Sequence, residues 1–307
     1  MSTPANTPAY EHSWICVCTY RRNDLLAELL DSVRAAGRED LAPRMIVVDN
    51  SAAAEAEETV RSRYPEARYV HEPVPGIAVA RNAALDAVPQ EAQAVIFVDD
   101  DERVHPGWLE ALLDCARSSG ADTVSGPVES IIPEEAAERI ERTGFIRRTD
   151  FLTGPWSYRP ATNNVLVRAG WFTQRGFRFD TAFNFTGGED SDLFERMHSA
   201  GAVSWWCAEA QVEEDVPAER LTEDWMRRRG IRAGHVRALK LTRRGHGRLR
   251  VAAEGAARLA YGSAAYGARR LRRRPVRYVD AAYLREGRGM LQAARGSHYE
   301  EYRRSAS

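Results

Sequence analysis

The longest run of consecutive acids in the chain, Asp99-Asp100-Asp101-Glu102, follows directly on Ala94–Val98, an apolar stretch suited to a buried strand. Carboxylates this close repel one another and are tolerated where water solvates them or a cation neutralises them. Hard divalent cations such as Mg2+ and Mn2+ take oxygen ligands and often bridge to substrate phosphates. Two readings follow: a metal–diphosphate site, or a strand ending in a solvated acidic turn. A second acidic group lies in Gly187-Gly188-Glu189-Asp190-Ser191-Asp192. It reads as a loop feeding a helix with Leu193, Phe194 and Met197 on its inner face. Acids in a first turn are favoured by the helix dipole, so capping is one explanation. The glycine pair points to a site, because it lets backbone or substrate approach closely.

For these residues to act together, the fold must bring them to one edge. The first half alternates short apolar strands with helices. Strands are expected at Trp14–Cys18, Met45–Val48, Arg68–His71 and Ala94–Val98. Helices are expected from Asn23 to about Gly37, at Ala53–Tyr64, at Ile77–Val88 through Gly76, and at Trp108–Ser119. Such β–α repetition implies an α/β fold with a mostly parallel sheet covered on both faces. Right-handed crossovers then bring the strand C-termini to one side. Thr19, Tyr20 and Arg21, then Asp49, Asn50 and Ser51, then Asp99–Asp101 should share one crevice. The middle is less regular, with a strand at Thr123–Val128, a charged helix around Pro133–Arg142 and a strand at Asn163–Val167.

The chain has 307 residues, 44% hydrophobic and 28% charged, as in globular proteins. No apolar run is long enough to span a bilayer. Met1–Ser13 is polar and reads as a disordered lead. The spacing of Cys16, Cys18, Cys115 and Cys207 suits neither a zinc site nor a disulfide framework, which implies buried thiols in a reducing cytoplasm. The net charge of −1 conceals a division. Residues 227–277 hold 17 Lys/Arg and one acid, Glu254, leaving 26 basic and 43 acidic residues elsewhere. We therefore expect an acidic catalytic domain over 14–226, with a nucleotide-binding half (14–120) and an acceptor half (121–226). A basic helical appendage would follow over 227–307.

Several motifs occur in order. They are Cys18-Thr19-Tyr20-Arg21-Arg22, Val47-Val48-Asp49-Asn50-Ser51, Gly76-Ile77-Ala78-Val79-Ala80-Arg81-Asn82 and the Asp99–Asp101 triplet. Thr162-Asn163-Asn164, the Gly187–Leu193 segment, Val216-Pro217-Ala218-Glu219-Arg220-Leu221 and Arg227-Arg228-Arg229 follow. As a set, over Trp14 to Gly234, they resemble the inverting glycosyltransferases of family 2, of GT-A fold and bacterial succinoglycan-biosynthesis type. The resemblance implies a sugar moved from a nucleoside-diphosphate donor, UDP by preference, to a carbohydrate, lipid-linked or small-molecule acceptor hydroxyl. Asp49 would accept a hydrogen bond from an imide N–H of the nucleotide base, or else cap a helix or hold a turn. Thr19, Tyr20 and Arg21 would line the base and ribose pocket, and Arg81 would face the diphosphate. Asp99 or Asp100 would touch the ribose, and Asp101, with Asp99, would hold Mn2+ or Mg2+. Asp190 would be the general base, with Glu189 as alternative or orienting partner. Relatives often carry a histidine near the Val-Pro segment; here Asp215 would have to replace it as a metal ligand. Arg227, Arg228 and Arg229 would grip the diphosphate. Trp156, Asn163 and Gly188 would face the acceptor, Trp156 because it lies in a Gly-Pro loop. The aromatics Tyr158, Trp171, Phe183, Phe185, Trp205 and Trp206 are explained as well by core packing.

The C-terminal segment Leu249–Leu271 reads as a helix interrupted by Gly255, Gly262 and Gly267. A basic, partly amphipathic helix can lie on an anionic membrane at the inner face, or pack as an ordinary solvated helix. Nucleic acid is not expected, since no nucleic-acid module accompanies the charge. Rival functions are a catalytically weak nucleotide-sugar-binding protein of the same fold, a nucleotidyltransferase and an aspartate-nucleophile phosphohydrolase. The last would need its aspartates after the first strand, where Cys18-Thr19-Tyr20 stands.

Overall fold

A computed structural model describes residues 10–36, 44–146, 151–157, 160–274 and 278–297. Residues 1–9 of the expected lead, the expected helix end at Gly37, and Tyr158 lie outside them. The chain divides into two compact units. The first comprises Met1–Glu129, Thr149–Asn184 and Glu189–Glu214; the second comprises Ser130–Arg148, Phe185–Gly188 and Asp215–Ser307.

The chain opens with β1 (Ser13–Thr19), α1 (Asn23–Ala36), β2 (Arg44–Asp49), α2 (Glu57–Arg63), β3 (Arg68–His71), α3 (Ile77–Ala87) and β4 (Ala94–Phe97). Then come β5 (Glu102–Val104), α4 (Trp108–Ser119), β6 (Thr123–Ser125), β7 (Val128–Ile131) and α5 (Glu134–Thr143). After these follow β8 (Gly154–Pro155), β9 (Val165–Arg168), α6 (Gly170–Thr173), α7 (Glu189–Ser199), β10 (Ser204–Trp206) and β11 (Val212–Asp215). Three long helices end the chain: α8 (Glu223–Arg243), α9 (Arg248–Leu271) and α10 (Tyr278–Ala294).

In the first unit an eight-stranded sheet runs β3-β2-β1-β4-β9-β6-β10-β8. The first four strands are parallel, β9 is antiparallel to both neighbours, and β10 is parallel to β6. The fold is thus the expected mixed α/β architecture with a mostly parallel core. Alternation along the strands divides the apolar residues between the two faces. Ile15, Val17, Val47 and Ile96 pack with α1 and α4. Cys16, Ile46, Val48, Val95 and Phe97 pack with α3, α6 and α7. Covering both faces is what makes these strands continuous apolar runs.

Three expectations need correction. The helix foreseen at Ala53–Tyr64 begins only at Glu57, because Asp49 and Ser51 engage the Ala56 and Glu55 amides in a turn. The single strand at Thr123–Val128 is two, β6 and β7, broken at Gly126-Pro127. A Cβ on Gly126 would lie 2.0 Å from the Ala210 carbonyl oxygen. In the second unit the glycines do not interrupt α9, which is continuous over 24 residues. Gly255 and Gly262 face α10 instead, where a Cβ would meet Met290 Cβ at 2.9 Å and Leu284 N at 2.2 Å. On α8, Gly234 meets Glu286 O of α10 at 2.1 Å in the same sense. Among the described residues no helix is long and apolar enough to cross a membrane.

Candidate functional site

The C-terminal ends of β1, β2 and β4 lie side by side, as parallel pairing requires. The Asn50 amide donates to Thr19 O at 2.9 Å, joining the turns after β2 and β1. Asn50 also fixes the entry to α3. Its Nδ2 donates to Glu72 O and Val74 O, and its Oδ1 accepts from Gly76 N at 3.1 Å. Gly76 has φ +141, and a Cβ there would lie 2.4 Å from Asn184 Cγ, so no other residue fits this entry unstrained.

Each aspartate of the triplet has a distinct setting. Asp100 is buried; its Oδ2 accepts from Thr19 Oγ1 at 2.8 Å and its Oδ1 from Arg22 at 3.0 Å. Asp101 pairs with the same Arg22 nitrogen at 3.0 Å. Asp99 pairs with Arg81 at 3.2 Å and keeps 42% of its side-chain surface exposed. Even so, its carboxyl is raised to about 7. Lost hydration contributes most; Arg81 opposes it, and Asp101, Asp100 and Asp190 add repulsion. Burial likewise raises Asp100, against Arg22 and Thr19, and Glu102, whose carboxylate accepts from the Asp99 amide at 2.8 Å.

Arg81 is buried and reaches both acidic groups. One terminal nitrogen pairs with Asp99 and the other with Glu189 at the start of α7. The two carboxylates hold Arg81 charged despite its burial. Asp190, next to Glu189, is only half-buried, and its Oδ1 accepts from the Ser191 amide at 2.6 Å. Asp192 is taken by Arg196 one turn along the helix, at 2.8 Å.

Asp49 lies fully inside. Its oxygens accept from Ser51 N, Ala56 N and Tyr69 Oη at 2.7–2.9 Å. Burial would raise this carboxyl, but those donors hold it below its ordinary value. Of its two sequence readings, the contacts match the turn-holding one. Arg21 turns outward to Glu55, at 3.1 Å, with its guanidinium over Tyr20.

Asn163 is half-exposed, whereas its neighbour Asn164 is buried. Asn164 accepts from Trp108 Nε1 at 2.8 Å and donates to Ala210 O at 2.7 Å. Trp156 does not stand alone: it stacks on Trp206 at 4.5 Å, with Phe151 edge-on at 4.8 Å. Trp171 and Phe183 are core residues. Gly188, Asp215 and Arg227–Arg229 belong to the second unit. There a Cβ on Gly188 would meet Val236 Cγ1 at 2.4 Å, and Asp215, ending β11, is exposed. Arg227 and Arg228 both pair with Asp224, at 2.6 and 2.7 Å, and Arg229 covers Trp225.

Arg22 had no role among the residues expected from sequence; its only signal was adjacency to the Thr-Tyr-Arg motif. Sequence reasoning also treated the cysteines singly. All four are free, yet Cys115 and Cys207 Sγ lie 2.8 Å apart, with Glu209 in the same cluster. A 92-residue separation hides such a pair.

The acidic group offers the oxygen ligands that hard divalent cations take, although among the described residues its carboxylates are not drawn together into a metal-ligand cluster. Asp99, Asp100, Asp101, Glu102, Glu189 and Asp190 offer only oxygens, and Arg22 and Arg81 are the guanidiniums among them. The repulsion that Asp101, Asp100 and Asp190 add at Asp99, second to lost hydration, is charge a cation would relieve. Asp100 is held by Thr19 and Arg22 and Asp101 shares that arginine, so Asp99 is the most exposed of the triplet, followed by Asp101.

The family model for glycosyl transferase family 2 matches residues 14–181. The succinoglycan biosynthesis protein ExoM of Rhizobium meliloti (strain 1021) is 38% identical over 242 residues, 77% of each chain. Two solved structures of GT-A fold are similar. S. aureus TarS 1–349 has a TM-score of 0.52 at 15% identity, covering 72% of this chain and 65% of that one. GalNAc-T7, solved with UDP, GalNAc and Mn2+, has a TM-score of 0.53 at 12% identity, covering 68% and 44%. The chain thus spans less than two thirds of these solved structures, and at such identities the likeness concerns the fold.

Proposed function

This chain belongs to glycosyl transferase family 2, and from that premise we propose that it catalyses metal-dependent, inverting transfer of a sugar from a nucleoside diphosphate to a carbohydrate hydroxyl. The observation that carries the reading is the Arg81 bridge, which holds the acids after β4 and those at the start of α7 on one guanidinium. Asp190 is the general base: half-exposed, it can meet an acceptor, whereas Glu189 is buried against Arg81. Asp190 takes the acceptor hydroxyl proton as that oxygen attacks the anomeric carbon. The bond to the diphosphate breaks on the opposite face, and the nucleoside diphosphate leaves with the electron pair. Proton transfer of this kind contributes roughly 10²–10⁴-fold.

Asp99 and Asp101 are the residues that would hold Mn2+ or Mg2+, which acts as a Lewis acid on the leaving diphosphate when bound. Arg22 and Arg81 add fixed positive charge beside it, suited to phosphate oxygens. Tyr20 and the turn shaped by Asp49 form the base side of the donor pocket. We take UDP as the first donor to test; GalNAc-T7, of like fold, was solved with UDP and Mn2+. Trp156, stacked on Trp206, offers an aromatic edge for a sugar acceptor. The reaction belongs in the cytoplasm, where thiols stay reduced.

The test is a panel of UDP-, GDP- and dTDP-sugars with and without Mn2+, followed by nucleoside-diphosphate release and by NMR of the product anomer. Release that requires the cation, with an inverted anomer, supports the reading. Absence of release with every donor, or a retained configuration, removes it.

A further inference from the structure

Helix α9 has two unlike sides. One packs on α10 through Val251, Gly255 and Gly262, all buried. At 3.6 residues per turn, Leu249, Ala253, Ala260, Ala264 and Leu271 fall within one side of the helix, and all five are exposed. Leu249 and Leu271 are 87% and 86% exposed. Water-facing leucines thus stand at both ends of this side of the helix, with exposed alanines between them. The only acid of the helix, Glu254, is turned aside and paired with Arg237 and Arg258.

Both ends of this side are basic. Arg248 and Arg250 flank Leu249, and Arg272, Arg273 and Arg274 follow Leu271; all five are exposed and have no carboxylate partner among the described residues. An apolar strip with unneutralised arginines at each end and no acid on its face matches the boundary of an anionic bilayer. Alkyl groups can enter at the headgroup level while guanidiniums meet lipid phosphates. A spanning role is excluded, since the helix is not apolar enough to cross.

We propose that the outer face of α9 is a docking surface for an anionic lipid bilayer, on which the helix lies flat. This rests on the second unit alone and is independent of the sugar-transfer reading.

The test is co-sedimentation of the full chain with vesicles of phosphatidylcholine alone and of phosphatidylcholine mixed with phosphatidylglycerol. The expected result is binding to the mixed vesicles only, released by salt. The double variant Leu249→Gln/Leu271→Gln adds no charge and alters two side chains in water; it should lower partitioning about ten-fold. Replacing Arg272, Arg273 and Arg274 by Gln should lower it about a hundred-fold. Circular dichroism and the unfolding midpoint of each variant should match the parent. Binding to neither vesicle, equal binding to both, or unchanged binding of the leucine variant would overturn the proposal. So would leucine-dependent self-association without lipid binding.

Discussion

Arg81 forms a buried ion pair with Glu189, a residue 108 positions further along the chain. Its other terminal nitrogen holds Asp99 at 3.2 Å. One guanidinium therefore fixes the spacing between the acids after β4 and the acids that open α7. A buried charge persists only when paired, so Arg81 and the two acids it ties form one structural unit.

Arg81→Ala should be costly twice over. It leaves Glu189 buried without its main partner, a loss of about 3 kcal/mol, read as a lower denaturation midpoint in urea. It should also weaken nucleoside-diphosphate binding, read by calorimetry. Arg81→Lys restores the charge without the two-pronged geometry, so stability should recover more than donor binding does.

Asp99 gives the site a pH signature. Its carboxyl stands at about 7 in the fold against an ordinary 3.8. The folded state then holds a proton that the unfolded state has lost. The associated stability is full below about 4 and disappears as pH rises to about 7. Cation binding must expel that proton. Mn2+ affinity in the presence of UDP should therefore rise with pH through 7 and level off above it. Calorimetry in buffers of different ionisation enthalpy should register proton release, and Asp99→Asn should flatten the profile.

Asn164 is a structural counterpart to these charges. Asn164→Ala would strip Trp108 Nε1 of its acceptor and Ala210 O of a donor inside the core. Each orphaned group costs about 1–3 kcal/mol. Equilibrium unfolding should show a loss of that order, while any folded fraction keeps its donor affinity.

The sheet was legible because its strands are continuous apolar runs closed by the residues that now meet at one edge. The Thr19–Asp100 contact follows from that reading, since β1 and β4 are parallel neighbours. What stayed hidden depends on long-range pairing. Nothing local distinguishes Arg22 from Arg21, yet the backbone of Arg21 turns to φ 54 and sends its side chain outward, while Arg22 reaches Asp100 and Asp101. Asp49 stayed open between two readings because the amide that fixes its turn, that of Ala56, is seven residues away. The glycines of α9 read as breaks because propensity is local, whereas their role is the close approach of α10.

Under the proposed reaction the two carboxylate groups have separate duties, Asp101 toward the cation and diphosphate and Asp190 toward the acceptor proton. The most direct test pairs Asp101→Asn with Asp190→Asn, measuring UDP binding in Mn2+ by calorimetry and sugar transfer in a single turnover. Asp101→Asn should lose the Mn2+-dependent part of UDP binding. Asp190→Asn should bind as the parent does but transfer about 10²–10⁴-fold more slowly. Near-normal transfer by Asp190→Asn, or unchanged Mn2+-dependent binding by Asp101→Asn, would contradict this division of duties.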